Sequence, residues 1–278
     1  FRGHAHLDSK RREPYLFSSR TTNIIRSVLH KRYSLLPLWY TLFHEASVTG
    51  VPPMRPLWFE FPSETNTFSI EDQFLVGSDL LVKPITTANT FSTQVYFPGS
   101  EKWFELDTWT AVNPASLPAS RLLKVDAPAE RIPVFQRGGS IVPRRERLRR
   151  SSQAMINDPF TLLVALDSKA SAKGEIYLDD GFSFDAQTKK FFHQRLFSFS
   201  DGKLTSSTIH KNEEYKYLSQ LERIVVVGLA SRPSSVSVVD PRTGETRDLY
   251  TYSGPNNSLI IKKPGVFVTD DWTISFSF

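Results

Sequence analysis

One stretch of helical periodicity, with nothing comparable in the rest of the chain, limits what this sequence can fold into. Between residues 22 and 46, Ile24, Ile25, Val28, Leu29, Tyr33, Leu36, Trp39, Tyr40 and Phe43 recur at three- and four-residue steps, the pattern of an amphipathic helix. Thr21, Thr22 or Asn23 offers a start cap and Gly50 a left-handed stop. Pro37, inside the stretch, predicts a kink or a turn that lacks one backbone hydrogen bond. Such a helix has no helical partner in this sequence, so it is expected to pack on something the sequence does not contain.

After Gly50 the period shortens. Short β-branched and aromatic runs, punctuated by Pro, Gly, Asn and Asp, predict strands at 55–61, 80–84, 93–97, 102–105, 121–125, 132–135 and 140–142. A second group follows at 160–166, 175–178, 190–199, 204–210, 222–227, 235–239, 246–251, 258–261 and 272–278. Between the groups, near 143–158, lies a basic connector, which places a domain boundary there. Each group is about the size of one antiparallel sandwich.

Composition closes off other classes. With 278 residues, 40% hydrophobic and 23% charged, the chain is an ordinary globular one with room for more than one domain. No apolar run approaches the roughly 18 residues that would predict a membrane span. The absence of cysteine removes disulfides and thiolate zinc sites. The start, Phe1-Arg2-Gly3-His4, is neither an initiator Met nor a signal peptide, so the sequence is expected to be cut from a longer protein. Of the formal charge of +5, the heptad Arg144-Arg145-Glu146-Arg147-Leu148-Arg149-Arg150 supplies five positives and one negative. One basic run without interleaved aromatics reads as a connector, not as a nucleic-acid footprint.

The densest polar cluster is Arg2-Gly3-His4-Ala5-His6-Leu7-Asp8, followed by Arg11-Arg12-Glu13-Pro14. In an extended segment His4, His6 and Asp8 share one face, a spacing open to metal ligands or to one His as a polar binding group beside a hydrogen-bonded structural one. The paired acids look weaker. Asp179-Asp180-Gly181, Asp270-Asp271, and Glu71-Asp72 with Asp79 sit where turns are predicted, and adjacent acids in an extended chain point apart. Gly138-Gly139 lacks the strand-loop-helix setting of a phosphate cradle and reads as a tight turn. The Phe191-Phe192 pair and residues 196–199 read as core, with a sugar-stacking platform as the alternative.

These residues carry a resemblance. Residues 1–14 and Arg32-Tyr33-Ser34-Leu35-Leu36-Pro37-Leu38-Trp39-Tyr40 resemble the end of the catalytic domain of glycoside hydrolase family 31. Residues 54–62, 72–84 and 133–143 resemble that family's proximal C-terminal domain, whereas residues 150–278 match its distal domain only in pattern. The Arg-Gly-His-Ala-His-Leu-Asp form looks like the branch of endoplasmic-reticulum α-glucosidases that process N-glycans. The resemblance implies a mixed fold: the C-terminal end of a (β/α)8 TIM barrel in 1–50, its last strand end and helix, then antiparallel β-sandwiches in 51–145 and 146–278.

It further implies a retaining exo-α-glucosidase trimming α-1,3-linked glucose from N-linked high-mannose glycans in the endoplasmic reticulum lumen. His4 matches the family's histidine that binds glucose hydroxyls, and Arg2, His6 and Asp8 would support that loop. The nucleophile and acid/base aspartates would lie on an upstream segment, so the chain alone is expected to be inactive. A noncovalent β subunit and a glucosylated N-glycan would be its partners, with no cofactor, metal or nucleic acid. Asn256, in Asn256-Asn257-Ser258, is a glycosylation candidate. A stand-alone β-sandwich module binding carbohydrate or protein is the alternative, and a metal-dependent hydrolase ranks third.

Overall fold

The structure, a computed structural model, describes residues 3–278. Where the sequence predicts one kinked helix there are two, α1 (Ser19–Ser34) and α2 (Leu36–Thr49). Pro37 sits in the first turn of α2, where its missing N–H has no partner to lose. Leu35 is the break, at φ −89° and ψ 0°. The start cap lies earlier than expected: the Oγ of Ser18, not of a threonine, accepts the Thr21 N–H at 3.3 Å. Gly50 closes α2 at φ 79°, as its position suggests. A short third helix, α3 (Leu57–Glu60), replaces the strand expected at 55–61. Pro56 at φ −65° opens it, and Leu57 is buried while Trp58 and Phe59 face outward, a pattern without period two.

The helix expected to lack a partner finds one in its own chain. Pro37, Leu38 and Leu42 of α2 are buried, and the Thr41 hydroxyl accepts the Tyr177 backbone N–H at 3.0 Å, tying α2 to a strand of the large sheet. The helix still leaves Phe43 and Val48 largely exposed and Tyr40 partly so. Residues 3–13 form no strand: the barrel strand expected there would draw its hydrogen bonds from parallel neighbours, and no such neighbours occur among the described residues.

Downstream, a six-stranded sheet runs in the order Met54–Arg55, Phe74–Val76, Leu80–Val82, Val134–Arg137, Trp103–Glu105, Ala111–Val112. Its cover is the antiparallel pair Ser92–Tyr96 with Leu122–Asp126, over a core of Leu57, Leu75, Leu81, Val95, Phe97, Trp103 and Phe135. The second unit is one eleven-stranded sheet. Its order is Thr246–Asp248, Ser235–Val239, Trp272–Ser277, Lys203–Lys211, His193–Ser200, Ala172–Leu178, Ser140–Arg144, Phe160–Ala165, Leu221–Val227, Leu259–Lys262, Thr251–Ser253. Its own core includes Phe160, Leu162, Phe197, Phe199, Trp272 and Ile274. The expectation of purely antiparallel pairing needs correction, because Phe160–Ala165 runs parallel to Leu221–Val227.

The expected division at 146 also shifts. Ser140–Arg144 pairs with Phe160–Ala165, so the large sheet already begins at Ser140, while Val134–Arg137 stays in the small one. Gly138-Gly139 makes that change of sheet. Gly138 N–H donates to Lys102 O at 2.7 Å and Gly139 N–H, with φ 94°, to Ala165 O at 2.8 Å. A Cβ on Gly138 would lie 2.9 Å from Leu166 O. A third core joins the units, with Leu38, Leu42, Val76, Leu80 and Phe104 against Val142, Leu163, Ala165 and Val225.

The arginine heptad is built into this junction. Arg144 donates to Ser34 Oγ at 2.9 Å and its Nε lies 2.9 Å from Glu146, a charge contact without hydrogen-bond geometry. Arg145 donates to Ile156 O at 2.8 Å and to the Tyr217 hydroxyl, with its guanidinium over the Phe160 ring. Arg147 pairs with Glu222, and Arg149 grips Asp158 with two nitrogens, at 2.9 and 2.6 Å. Charges spent on such partners are not presented to a phosphate backbone.

Candidate functional site

The N-terminal cluster lies in irregular backbone. His4, His6, Leu7 and Asp8 are exposed, and the local order comes from a turn in which Ser9 N–H donates to His6 O at 3.1 Å. Arg11 holds the segment further on, donating to Glu13 at 2.9 Å and to the Tyr15 hydroxyl at 2.5 Å. Arg2 lies outside the described residues. No group of three or more His, Asp or Glu placed to hold a metal occurs among the described residues, so His4, His6 and Asp8 do not converge as a ligand set.

The paired acids serve turns. Asp179 Oδ1 accepts Gly181 N–H at 2.8 Å and the Tyr40 hydroxyl at 2.6 Å, while Asp180 accepts Phe182 and Ser183 N–H and the Ser183 hydroxyl. Those last contacts hold the Asp180 carboxyl below its usual range. Asp271 caps a buried arginine: the wholly buried Arg195 donates to it at 2.5 Å, and to Ser206 and Asp270 O. Asp179 and Asp180 both border the cavity beside α2, but their carboxylates are taken up by turn N–H groups and hydroxyls, and Asp271 is taken up by Arg195, so neither pair stands as a free acid and base.

Asp79 differs. Burial pushes its carboxyl up to about 6, against the opposing pull of the Ser78 hydroxyl and the charges of Arg137 and Arg55. A folded-state pKa above the unfolded value of about 4 means that the native state prefers the proton. Its stabilising effect is complete below pH 4 and is lost as pH rises through 6. Asp79→Asn, which stays neutral, is therefore expected to stabilise the protein at pH 7 by about 1–2 kcal/mol, after allowance for the residue's partial exposure, and not at pH 4. Urea midpoints at the two pH values measure this; an equal effect at both would contradict the assignment.

Beside α2 opens a cavity of about 640 Å³, lined by Trp39, Tyr40, Phe43, Arg145, Tyr177, Asp179 and Phe182 among others. An aromatic ladder backs it: His44 stacks on Tyr177 with ring centres 3.7 Å apart, and Phe192 stacks on His210 at 4.0 Å. Burial, then the hydrogen bond to Asp179, raises the Tyr40 phenol; burial lowers His44, so both are neutral near pH 7. Phe192 thus joins the ladder, whereas Phe197 and Phe199 are core. Sequence reasoning missed this wall, although the i,i+4 pair Tyr40 and His44 signals it.

Against known proteins, the model described as "Glycosyl hydrolases family 31 TIM-barrel domain" matches residues 1–42 and "Glycosyl hydrolase family 31 C-terminal domain" matches residues 50–142. The chain belongs to glycoside hydrolase family 31. Within it, the chain is 47% identical over 99% of its length to a probable glucan 1,3-alpha-glucosidase of Arabidopsis thaliana, covering 30% of that protein. The glucosidase II alpha subunit solved with alpha3-Glc2 bound superposes on 100% of the chain with a TM-score of 0.90 and 36% identity, over 31% of its own length. The catalytic subunit in the ER glucosidase II heterodimeric complex, solved with the binding domain of the regulatory subunit, gives 0.88 and 36% over 100% of the chain and 31% of its own length. The chain thus spans about a third of the length of these relatives.

Proposed function

We propose that this chain forms the C-terminal part of a retaining exo-α-glucosidase that trims α-1,3-linked glucose from N-linked high-mannose glycans in the endoplasmic reticulum lumen. The observation that carries this reading is the end-to-end likeness to the glucosidase II alpha subunit, a protein solved with an α-1,3-linked diglucoside. A retaining mechanism needs two carboxyls about 5–5.5 Å apart across the anomeric carbon. Asp179, Asp180 and Asp271 are occupied as turn caps and as an arginine partner, which supports a nucleophile and an acid/base supplied from upstream.

In this reading residues 1–50 complete a barrel, and the exposed Phe43 and Val48 of α2 meet its other units. His4, on an exposed loop, reaches the rim of the sugar pocket. Its ring nitrogens can donate to or accept from a glucose hydroxyl, in a bond that tightens as the sugar ring flattens toward the oxocarbenium-like transition state. Arg2, His6 and Asp8 hold that loop. A regulatory subunit, as in the heterodimeric relative, and a glucosylated N-glycan are its partners.

A module that works alone is the second reading, favoured by the seating of α2 on its own sheet. Intact-mass analysis of the protein from its native source separates the two. An upstream family 31 polypeptide, joined or co-purifying, supports the enzyme; the chain recovered alone and monomeric supports the module.

A further inference from the structure

Asn256-Asn257-Ser258 is the chain's one Asn-x-Ser/Thr sequon, and in an oxidising, lumenal protein it would be read as a surface acceptor for a glycan. Its geometry points elsewhere. Asn256 lies in the turn Pro255–Asn257 in the left-handed region, φ 50° and ψ 45°. From there its Nδ2 donates across to the other unit, to Thr108 O at 2.7 Å and Thr110 Oγ1 at 3.1 Å. Both N–H bonds of the amide are thereby used.

The receiving turn is shaped in advance. The Glu105 carboxylate accepts the N–H groups of Asp107 at 3.1 Å and Thr108 at 2.6 Å, and Thr108 Oγ1 lies 2.9 Å from Thr110 Oγ1. The sequon turn fits it closely: a Cβ on the neighbouring Gly254 would come within 3.1 Å of the Trp109 ring. The other group a transferase needs is also withdrawn, because Ser258 is buried and its hydroxyl donates to Pro255 O at 2.7 Å.

We propose that Asn256 is a latch between the two β units, and that the folded protein keeps this sequon unglycosylated. Attachment of a sugar would replace one amide N–H by the C1–Nδ2 bond, leaving one donor for two acceptors and forcing a saccharide between the sequon turn and the turn that carries Thr108 and Thr110. The latch also bears on the barrel segment, since Lys31 of α1 pairs with Asp107 of the same turn at 2.5 Å. α1, the small sheet and the large sheet meet there.

Two measurements on the full chain, produced through the secretory pathway of a eukaryotic cell, test this. Peptide mass mapping of the folded protein is expected to return the segment containing Asn256 without a glycan; a glycan at Asn256 in folded protein overturns the proposal. In Asn256→Ala, hydrogen exchange at the amides of residues 107–109 is expected to quicken about tenfold. Unchanged exchange there would mean that the contact carries nothing. Thr110→Val, which removes one acceptor at the rim, is expected to give a smaller rise, about threefold, and serves if Asn256→Ala does not fold.

Discussion

His4→Ala, in a complete enzyme containing this chain, is expected to lower kcat/KM for an α-1,3-linked glucoside by about a hundredfold, with most of the loss in kcat. The size follows from the role. A hydrogen bond that strengthens as charge develops at the sugar ring contributes about 2–3 kcal/mol to the transition state and less to the bound substrate. The side chain is exposed and has no buried partner among the described residues, so the variant is expected to melt within a degree of the parent. His6→Ala and Asp8→Ala, at residues proposed only to support the loop, are expected to stay within a few-fold of the parent. Steady-state kinetics distinguish these cases: an equal loss in all three would make the cluster a structural unit, and an unchanged kcat for His4→Ala would remove it from the pocket.

Gly174→Ala is expected to be the most damaging single methyl in the large sheet. Gly174 lies where the strand Ala172–Leu178 crosses Ser140–Arg144, and a Cβ there would stand 1.9 Å from Ile141 O and 2.8 Å from Ile141 C. The obstacle is backbone, not the far end of a side chain, so it cannot swing away. Separating the two strands disturbs the core around Ile141, Ile176 and Phe197, at a cost of about 3 kcal/mol or more. In a chain this size that corresponds to a loss of about 6–12 °C in Tm. A thermal scan showing a shift below 2 °C would mean that the crossing has room the structure does not show.

The contrast between these two residues indicates what a sequence discloses. The family likeness of the first residues was legible because the Arg-Gly-His text is local and specific. Gly50 as a helix stop and most strands were legible too, since capping and alternation act within a few residues. Pro37 announced an interruption but not a clean break with Leu35 at its centre. Gly174 gave no signal, because its constraint is a carbonyl more than thirty residues away in the chain. Separation along the chain also hid the parallel pairing of Phe160–Ala165 with Leu221–Val227 and the passage of Ser140–Arg144 into the large sheet. The charge of the arginine heptad was visible, while its partners Ser34, Asp158, Tyr217 and Glu222 became identifiable only in the fold.

Release of glucose from an α-1,3-linked diglucoside tests the central proposal most directly. Residues 1–278 alone are expected to show no hydrolysis above the buffer rate, and the same chain joined to its upstream family 31 segment is expected to turn the substrate over with retention of anomeric configuration. Hydrolysis by residues 1–278 alone would contradict the account, because it would place both catalytic carboxylates within this chain.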